Sequence, residues 1–441
     1  MKDVDFISAL RAIAPYVHAH NGRVFVIAFG GEAAQRPGFD RLMYDVALLH
    51  SLGVKLVIVH GARPQVDEEL STRDVTSDYV DGLRVTDKAT LDCVKAAVGS
   101  LRMEIEAKLS TSLASTPMGG ARLKVAAGNW ITGKPVGVRQ GVDMQYTGDV
   151  RRVDVASIKA NLEAGRICLI SPIGYSPTGE IFNLRAEDVA SSVASALAAD
   201  KLVYLVPTDP AKWPLAEAAG DAGQMSYAEA AALLSEKADT LSPEDHGCLV
   251  SVTTAGLGGV KRVHLIDQGR DGSLLRDLYT RDGAGLLFYG DEDYESTRDA
   301  QIDDVGGILA LIQPLEESGV LVPRSREQLE LEIGNFTVMT RDGMVIACAA
   351  LYPFEDAHMG ELACVAVHAD YRGNSRAASL LKRIESGAKR QGIKRLFSLT
   401  THTPHWFVER GFTQGKIEDL PVQRQKMYNY QRNSLVLVKN L

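Results

Sequence analysis

The strongest constraint on the fold is a strand–helix–strand pattern near the start of the chain. Residues 23–29 and 54–60 are apolar runs of strand length, and apolar residues recur at helical spacing over 39–52 between them. Gly30-Gly31 follows the first run and Gly61 the second. A strand–helix–strand unit of this kind predicts a parallel sheet. The glycines suit a phosphate-binding turn, but sharp strand-to-helix turns also need glycine for purely structural reasons.

A second strand, loop and helix lie near the other end of the chain. Residues 362–367 form a valine-rich apolar run of strand length, with Glu361 at its head. The turn-forming stretch 371–376 follows, and apolar residues then recur at helical spacing over 377–384. Unpaired N–H groups and the positive end of a helix dipole converge at such a loop, which favours anions. The pattern indicates a phosphate-bearing cofactor beside a proton acceptor.

Length and charge restrict the number of domains and the partners. A chain of 441 residues is too long for one ordinary core, so two or three domains are expected. The 56 acidic residues outnumber the 48 lysines and arginines, which gives a net charge of −8 and argues against a nucleic-acid partner. The sequence contains neither a membrane-spanning apolar run nor a signal-peptide pattern, so we expect a cytoplasmic protein with no membrane partner.

The cysteines and histidines give no sign of a disulfide framework or a metal site. The five cysteines are scattered without a CxxC pair, and most lie in apolar runs. They are therefore interpreted as small buried apolar residues. The histidines lack the spacing of metal ligands, and no metal is expected.

Three segments of the first half carry a resemblance to a known family. Residues 26–31, 56–64 and 82–87 are similar to the corresponding stretches of the amino-acid-kinase family, and of N-acetylglutamate kinases in particular. The resemblance implies an α/β fold, an αβα sandwich over residues 1–288. Two positions depart from the family pattern, because Ala28 replaces the phosphoryl-stabilising lysine and Ala186 replaces an asparagine. Without that lysine we expect phosphoryl transfer to be lost.

The end of this half resembles arginine-sensitive members of the same family. The similar segments are 258–266 and 271–283, and the resemblance implies an L-arginine effector site shared with the N-terminal helix. The residues assigned to this site are Lys261, His264, Asp277 and Gly283. The alternative is a strand edge and a helix with solvated charges. The N-terminal helix, predicted over 6–16 and ending near Pro15, is either a cap on the domain or an oligomer contact.

A change of composition divides the chain after residue 288. The acidic, turn-like stretch 289–293 is the predicted linker, and 294–441 is the predicted second domain. A helix is expected to follow the linker and to end near Gln313-Pro314. Residues 336–341 and 344–352 are expected to form a hairpin across Asp342-Gly343.

The second half resembles the GNAT superfamily of acyl-CoA-dependent N-acetyltransferases. The resemblance rests on 365–381 and 406–412, although Ser375 stands where the cofactor loop usually has a glycine. It implies a C-terminal GNAT α/β acetyltransferase domain with acetyl-CoA as co-substrate. The implied cofactor-binding residues are Val365, Val367, Arg372, Gly373, Asn374, Ser375, Arg376, Ala377 and Phe407. For Phe407, core packing is an equally good interpretation.

The chemistry of acetyl transfer assigns roles within this domain. An α-ammonium must lose a proton before it can attack, and Glu361 aligns with the base of the superfamily. Backbone N–H groups at Cys364-Val365 are expected to stabilise the tetrahedral oxyanion. Thr400 aligns with the hydroxyl acid that protonates the leaving thiolate. The structural alternatives are a charged residue at a strand end and a threonine favoured in strands.

The fusion of the two domains is similar to the family of bacterial N-acetylglutamate synthases. The implied substrate is L-glutamate, whose two carboxylates call for arginines, and the implied contacts are Arg324, Cys364, Arg424, Arg432 and Ser434. The resemblance also implies feedback inhibition by L-arginine and a hexamer. Two alternatives are an acetyltransferase for another amino acid or a protein lysine, and a working N-acetylglutamate kinase or arginine sensor.

Overall fold

The structure is a computed structural model that divides into two compact units, Met1–Asp291 and Glu292–Leu441. It describes residues 3–111, 123–210, 216, 219, 223–237, 241, 243–280, 283–290, 295–341, 343–372, 376–401, 404–430, 432 and 434–441. The predicted cofactor residues Gly373, Asn374 and Ser375 lie outside these described residues.

The first unit is built on an eight-stranded sheet with the order β14-β16-β15-β13-β1-β2-β10-β5. The strands of the unit are β1 (Val24–Phe29), β2 (Lys55–His60), β3 (Tyr79–Val80), β4 (Leu83–Arg84), β5 (Val125–Ala126), β6 (Ile131–Pro135), β7 (Val138–Arg139), β8 (Val142–Asp143), β9 (Gly148–Val153), β10 (Ile167–Ile170), β11 (Ile173–Tyr175), β12 (Ile181–Asn183), β13 (Lys201–Val206), β14 (Gln224–Ser226), β15 (Arg262–Asp267) and β16 (Gly285–Tyr289). Within this sheet β15 and β16 pair antiparallel, and the other neighbours pair parallel. The parallel pairing of β1 with β2 confirms the prediction from the strand–helix–strand pattern.

Helices cover both faces of this sheet. They are α1 (Asp3–His20), α2 (Phe39–Ser51), α3 (Arg63–Thr72), α4 (Lys88–Thr111), α5 (Val155–Glu163), α6 (Ala186–Leu197), α7 (Tyr227–Lys237), α8 (Pro243–Leu257) and α9 (Ser273–Tyr279). Side chains of β1 alternate between two cores: Val26 and Ala28 pack with α5, α6 and α8, while Phe25 and Ile27 pack with α2, α4 and α9. A strand buried on both faces reads as a continuous apolar run. The predicted αβα sandwich is confirmed.

The N-terminal helix is longer than the sequence predicts. It was expected to end near Pro15, but α1 continues through Pro15 to His20. The His20 ring nitrogen Nε2 donates to the carbonyl oxygen of Leu278 at 2.7 Å, and the ring packs against Phe25 and Tyr279. These contacts hold the last turn against the unit, which offsets the hydrogen bond that a proline removes from a helix interior.

The second unit is built on a seven-stranded sheet with the order β17-β18-β19-β20-β21-β23-β22. Its strands are β17 (Glu295–Asp299), β18 (Phe336–Arg341), β19 (Met344–Phe354), β20 (Met359–Val367), β21 (Arg395–Thr400), β22 (Thr413–Gln414) and β23 (Leu435–Asn440). Its helices are α10 (Val305–Glu317), α11 (Arg326–Glu332), α12 (Arg376–Arg390), α13 (Pro404–Val408) and α14 (Val422–Lys426). One core lies between α10 and the sheet, and another lies between α12 and the sheet. This is the α/β architecture expected of the acetyltransferase half.

Local predictions in this unit had mixed outcomes. The hairpin of β18 and β19 is confirmed. The helix expected to end near Pro314 runs on to Glu317, so that boundary was wrong. The first strand, β17, was not predicted, because its residues 295–299 are polar or charged and lie on an edge strand, where no apolar alternation is needed.

Candidate active site

Strands β20 and β21 separate part of the way along and open a wedge in the sheet. They pair in parallel from Met359–Arg395 to Glu361–Phe397. Beyond these pairs β20 continues to Val367 and β21 to Thr400. A cavity of about 1000 Å³ lies here and is lined by residues of both strands, of α12 and of the segment 424–434. Residues of β20 and β21 therefore line one cavity where the two strands separate.

A β-bulge at Cys364 shapes one wall of the cavity. The register between β19 and β20 shifts after the pair Ala350–Ala363, so that Cys364 and Val365 oppose a single residue of β19. Cys364 has a φ of 53°, an unusual value for a residue with a side chain. Bulges of this kind redirect backbone groups and are frequent beside active sites. The predicted oxyanion donors, the N–H groups at Cys364-Val365, thus lie on irregular backbone at the cavity wall.

Glu361 and Arg424 form a two-pronged ion pair inside the cavity. Arg424 donates from Nε to Glu361 Oε2 at 2.6 Å and from Nη2 to Oε1 at 2.9 Å. The Glu361 side chain is 12% exposed and the Arg424 side chain 22%. The predicted base therefore faces a guanidinium that the sequence assigned to substrate binding.

The two other predicted substrate arginines lie in the same cavity. Arg432 donates from Nη2 to the carbonyl oxygen of Val320 at 2.6 Å, and its buried Nε finds no acceptor among the described residues. Arg324 donates from its backbone N–H to Glu316 at 3.0 Å. Burial opposes the charge of Arg324, but the Cys364 thiol and Tyr352 raise the pKa of its guanidinium above the ordinary value. Both arginines thus line the cavity as cations.

The remaining catalytic and substrate residues line the same space. Thr400 ends β21, and Ser434 precedes β23. The Ser434 carbonyl accepts the Tyr428 hydroxyl at 2.6 Å, which ties the segment before β23 to its neighbour. Cys364, Thr400 and Ser434 all contribute to the cavity wall. The structure therefore brings all predicted catalytic and substrate residues to one site.

At the cofactor end of the cavity, two arginines differ in their contacts. Arg372 donates from Nε to the Val367 carbonyl at 3.4 Å and is otherwise exposed. Arg376 donates from Nε to both oxygens of Glu295, at 3.0 and 2.9 Å, and from Nη1 to the Tyr371 carbonyl at 3.0 Å. Its side chain is 10% exposed. The Arg376 guanidinium therefore already contacts protein groups. Because Arg376 begins α12, its backbone N–H is the group that could bind a phosphate.

The other predicted cofactor residues also line the cavity. These are Val365, Val367, Ala377 and Phe407. Phe407 makes edge-on contacts with the Trp406 and Phe412 rings at centroid distances of 4.9 and 5.4 Å. It therefore belongs both to the core and to the cavity wall, so the two interpretations of this residue are compatible.

Several cavity residues were not found from the sequence. They are Tyr371, Ser398, Trp406, Arg410, Tyr428 and Asn429. Arg410 lies over the Trp406 ring at 4.4 Å from its centroid, a cation–π contact at the i,i+4 spacing that a helical pattern offers. That spacing is a signal that could have identified this pair.

In the first unit, three of the four predicted effector residues lie together. His264 Nδ1 on β15 lies 2.6 Å from Asp277 Oδ2 on α9, and both side chains are buried. Asp277 Oδ1 accepts the backbone N–H of Ala284 at 2.9 Å, and a Cβ at Gly283 would lie 3.0 Å from that oxygen. Burial opposes ionisation, but His264 and Ala284 hold the pKa of Asp277 below its ordinary value. Oδ1 of Asp277 is therefore hydrogen-bonded, and Oδ2 lies against the His264 ring.

The fourth effector residue lies apart from this cluster. Lys261 is half exposed and its Nζ is 3.8 Å from Asp200. Lys201, which the sequence did not single out, is buried with its Nζ 3.4 Å from His264 Nε2. The cation nearest to the His264–Asp277 pair is thus Lys201 rather than Lys261.

A separate cavity of about 690 Å³ lies at the ends of β1, β2 and β13. Ala28 and Ala186, the two positions that depart from the kinase pattern, both line it. Of the arginines in its wall, Arg84 pairs with Asp67 and Arg185 pairs with Asp188. An alanine at each of these two positions supplies neither charge nor hydrogen-bonding capacity to the cavity.

These features define a class of protein: a GNAT acetyltransferase unit that follows a unit with the amino-acid-kinase fold. Residues 23–209 match the amino acid kinase family, and residues 308–412 match the acetyltransferase (GNAT) family. Amino-acid acetyltransferases are similar over nearly the whole chain. The one from Pseudomonas putida strain GB-1 is 49% identical over 438 residues, which is 99% of this chain and 100% of the relative. The one from Ralstonia nicotianae is 46% identical over 99% of this chain and 95% of the relative.

Solved structures agree with this class. N-acetylglutamate synthase from Neisseria gonorrhoeae, complexed with coenzyme A and L-arginine, is 36% identical with a TM-score of 0.87, and the match covers 99% of both chains. The same synthase complexed with coenzyme A and N-acetyl-glutamate is 37% identical with a TM-score of 0.62, again over 99% of both chains. The chain belongs to the amino-acid acetyltransferase family. The resemblance inferred from the sequence is confirmed.

Two further observations concern metals and membranes. Among the residues that the structure describes, no group of three or more His, Cys, Asp or Glu side chains could hold a metal ion. In the same described part, no helix has both the length and the apolar character needed to cross a bilayer.

Proposed function

We propose that the protein transfers the acetyl group of acetyl-CoA to the α-amine of L-glutamate, giving N-acetyl-L-glutamate and CoA as the first step of arginine biosynthesis. The observation that carries the proposal is the convergence of Glu361, Thr400 and three arginines on the cavity between β20 and β21. A base and a hydroxyl acid suit amide formation from a thioester. Several arginines in one cavity suit a substrate with two carboxylates.

The reaction can be followed through the residues of this chain. The substrate ammonium loses a proton to Glu361, and the free amine attacks the thioester carbonyl carbon. The oxyanion is stabilised by backbone N–H groups at the Cys364 bulge. The C–S bond then breaks, Thr400 donates a proton to the departing CoA thiolate, and the attacking nitrogen loses its second proton, which restores the Thr400 hydroxyl.

Opening of the Glu361–Arg424 ion pair is the first step of the catalytic cycle. Before substrate binds, the guanidinium occupies both oxygens of the base. A carboxylate of the incoming glutamate offers Arg424 an equivalent two-pronged partner. Exchange of that partner releases Glu361 to accept the ammonium proton when the substrate is in place.

The first unit is assigned to regulation. In this assignment residues 1–288 form the amino-acid-kinase-like domain, 289–293 the linker and 294–441 the acetyltransferase domain. L-Arginine binds near His264, Asp277, Gly283 and Lys261 and inhibits the second domain. Phosphoryl transfer is lost because Ala28 cannot stabilise the transferring group.

The protein is also assigned as a homo-oligomer, and the family resemblance implies a hexamer. Helix α1 carries Phe6, Ile7 and Leu10, whose side chains are 49%, 43% and 53% exposed. Such an apolar row on a surface helix suits contact with a second copy of the chain. Light scattering coupled to size-exclusion chromatography tests this point, and a monomeric mass would contradict it.

The test of the proposed function is thiol release from acetyl-CoA with each amino acid, with and without L-arginine. We expect release with L-glutamate, suppressed by arginine. Mass spectrometry should identify N-acetylglutamate as the product. A preference for another amino acid, or for a lysine-containing peptide, would contradict the assignment. Detectable ATP turnover with N-acetylglutamate would overturn the loss of kinase activity.

A further inference from the structure

Two cysteines on neighbouring strands lie at the wall of the acetyl-transfer cavity. Cys364 occupies the bulge of β20 and lines the cavity. Cys348 lies on β19, with its Sγ 3.6 Å from the Cys364 carbonyl oxygen. Both are buried, with exposed fractions of 0% for Cys348 and 4% for Cys364. Both side chains belong to the core between α10 and the sheet. Only Cys364 of the two lines the cavity.

The surroundings give the two thiols different chemical characters. The neighbouring Cys348 side chain lowers the pKa of the Cys364 thiol, and the positive charge of Arg324 acts in the same direction against the effect of burial. The neighbouring Cys364 side chain and burial raise the pKa of Cys348 well above its ordinary value. A thiol that ionises readily beside one that stays protonated is the arrangement of an attacking and a resolving cysteine.

We propose that Cys364 and Cys348 form a peroxide-reactive thiol pair, whose oxidation to an intramolecular disulfide switches off acetyl transfer. The Cys364 thiolate attacks one oxygen of a hydroperoxide, the O–O bond breaks, and the other oxygen leaves as hydroxide or alkoxide. The resulting sulfenic acid is attacked by Cys348 Sγ, the S–S bond forms, and the sulfenic oxygen leaves as water with the Cys348 proton. The two electrons lost by the thiols reduce the peroxide.

The position of the pair explains why its oxidation would stop catalysis. The disulfide would join β19 to β20 at the bulge, which carries the proposed oxyanion donors. It would also remove the thiol that lies beside Arg324, a proposed substrate contact. Cys168 in the first unit provides a contrast, because burial raises the pKa of its thiol to about 12. Cys168 is therefore expected to be unreactive under the same conditions.

The experiment treats the full-length reduced protein with hydrogen peroxide, removes the peroxide, and measures N-acetylglutamate formation by mass spectrometry. We expect a loss of activity of about tenfold or more that dithiothreitol reverses. Peptide mapping after alkylation should find a Cys348–Cys364 linkage that forms in parallel with the loss. The proposal would be overturned if peroxide inactivated the enzyme while Cys348 and Cys364 both still reacted with the alkylating reagent.

Variants separate this pair from the other thiols, with each rate normalised to its own untreated enzyme. C364S should be resistant to peroxide, and C168S should respond as the wild type does. C348A should form a sulfenic acid at Cys364 that dimedone traps, with no linkage to another cysteine. Peroxide sensitivity of C364S equal to that of the wild type would contradict the proposal. A fluorescence unfolding curve for each variant establishes that it is folded.

Discussion

Glu361 and Arg424, 63 positions apart in sequence, hold each other through two hydrogen bonds in the acetyl-transfer cavity. Each group has the geometry to bind a different part of an amino acid: the carboxylate suits an ammonium, and the guanidinium suits a carboxylate. Substrate and ion pair therefore compete for the same atoms. In the structure the two charges form a neutral pair, so neither charge is buried without a partner.

Replacement of Glu361 by glutamine tests its role as the base. We expect Glu361→Gln to lower kcat by roughly 100-fold or more, the usual contribution of a general base, with little change in the KM of acetyl-CoA. Glu385→Gln is a matched control, because Glu385 is also an ion-paired, largely buried glutamate, bound to Lys439 at 2.6 Å. A kcat of E361Q equal to that of the control would remove Glu361 from the chemistry.

Arg424 is tested by comparing a charge-conserving variant with a neutral one. Arg424→Lys keeps the charge but loses the two-pronged geometry, and Arg424→Gln loses both. We expect the KM of L-glutamate to rise by about tenfold in R424K and further in R424Q, with the KM of acetyl-CoA little changed. An unchanged glutamate KM together with a higher kcat would mean that Arg424 only masks the base.

Arg432 offers a guanidinium whose Nε has no acceptor among the described residues. A carboxylate of the substrate would satisfy that donor, and a charge-assisted hydrogen bond contributes about 1.5–3 kcal/mol. Arg432→Ala should therefore raise the glutamate KM by roughly 10- to 100-fold. Arg395→Ala is the control, because Arg395 is exposed. Within the described residues, its side chain donates a hydrogen bond to Asn440. Equal KM values for the two variants would count against a substrate contact.

The sequence predicted several strands and assigned candidate catalytic residues, because both depend on short local segments. Apolar runs of strand length identify β1 and β20, and the Asp342-Gly343 turn identifies the hairpin of β18 and β19. Glu361 and Thr400 could be named because each aligns with a catalytic position of the GNAT superfamily. The sequence assigned the backbone N–H groups at Cys364-Val365 to the oxyanion, but the bulge there depends on the register with β19, which no local pattern records.

Contacts between distant residues could not be predicted in this way. Arg376 was assigned to the cofactor from its place in the loop, yet its guanidinium is bound to Glu295, 81 positions away. The partner lies on β17, the polar edge strand that the sequence did not reveal. His264 and Asp277 were assigned as separate ligands, and the structure joins them in one buried pair. In both cases the fold brings together two side chains that are far apart in sequence.

The Arg376–Glu295 pair yields a prediction about stability rather than cofactor affinity. Loss of either partner leaves a largely buried charge unpaired, so Arg376→Ala and Glu295→Ala should each lower the free energy of unfolding of the second unit by about 2 kcal/mol. In a double-mutant cycle the pair should show a coupling energy of about 1–2 kcal/mol, measured by denaturant titration. A strong rise in the acetyl-CoA KM of R376A without loss of stability would instead support a contact between the Arg376 side chain and a phosphate of the cofactor.

Asp45 in the first unit gives a pH dependence of stability with a definite sign. Burial, with a contribution from the charge of Asp271, raises the pKa of Asp45 from its ordinary 3.8 to about 6. Because the folded protein favours the protonated carboxyl, Asp45 destabilises the fold as the pH rises from about 4 to about 6, and the penalty is constant above that window. A full shift of this size corresponds to about 3 kcal/mol, but Asp45 is only half-buried and solvent screening reduces the effect to about 1 kcal/mol. Asp45→Asn should therefore raise the thermal midpoint of the first unit by about 2 °C at pH 7.5 and leave it unchanged at pH 4. Melting curves of wild type and D45N at both pH values measure this difference, and an equal shift at pH 4 would assign the effect to packing instead of charge.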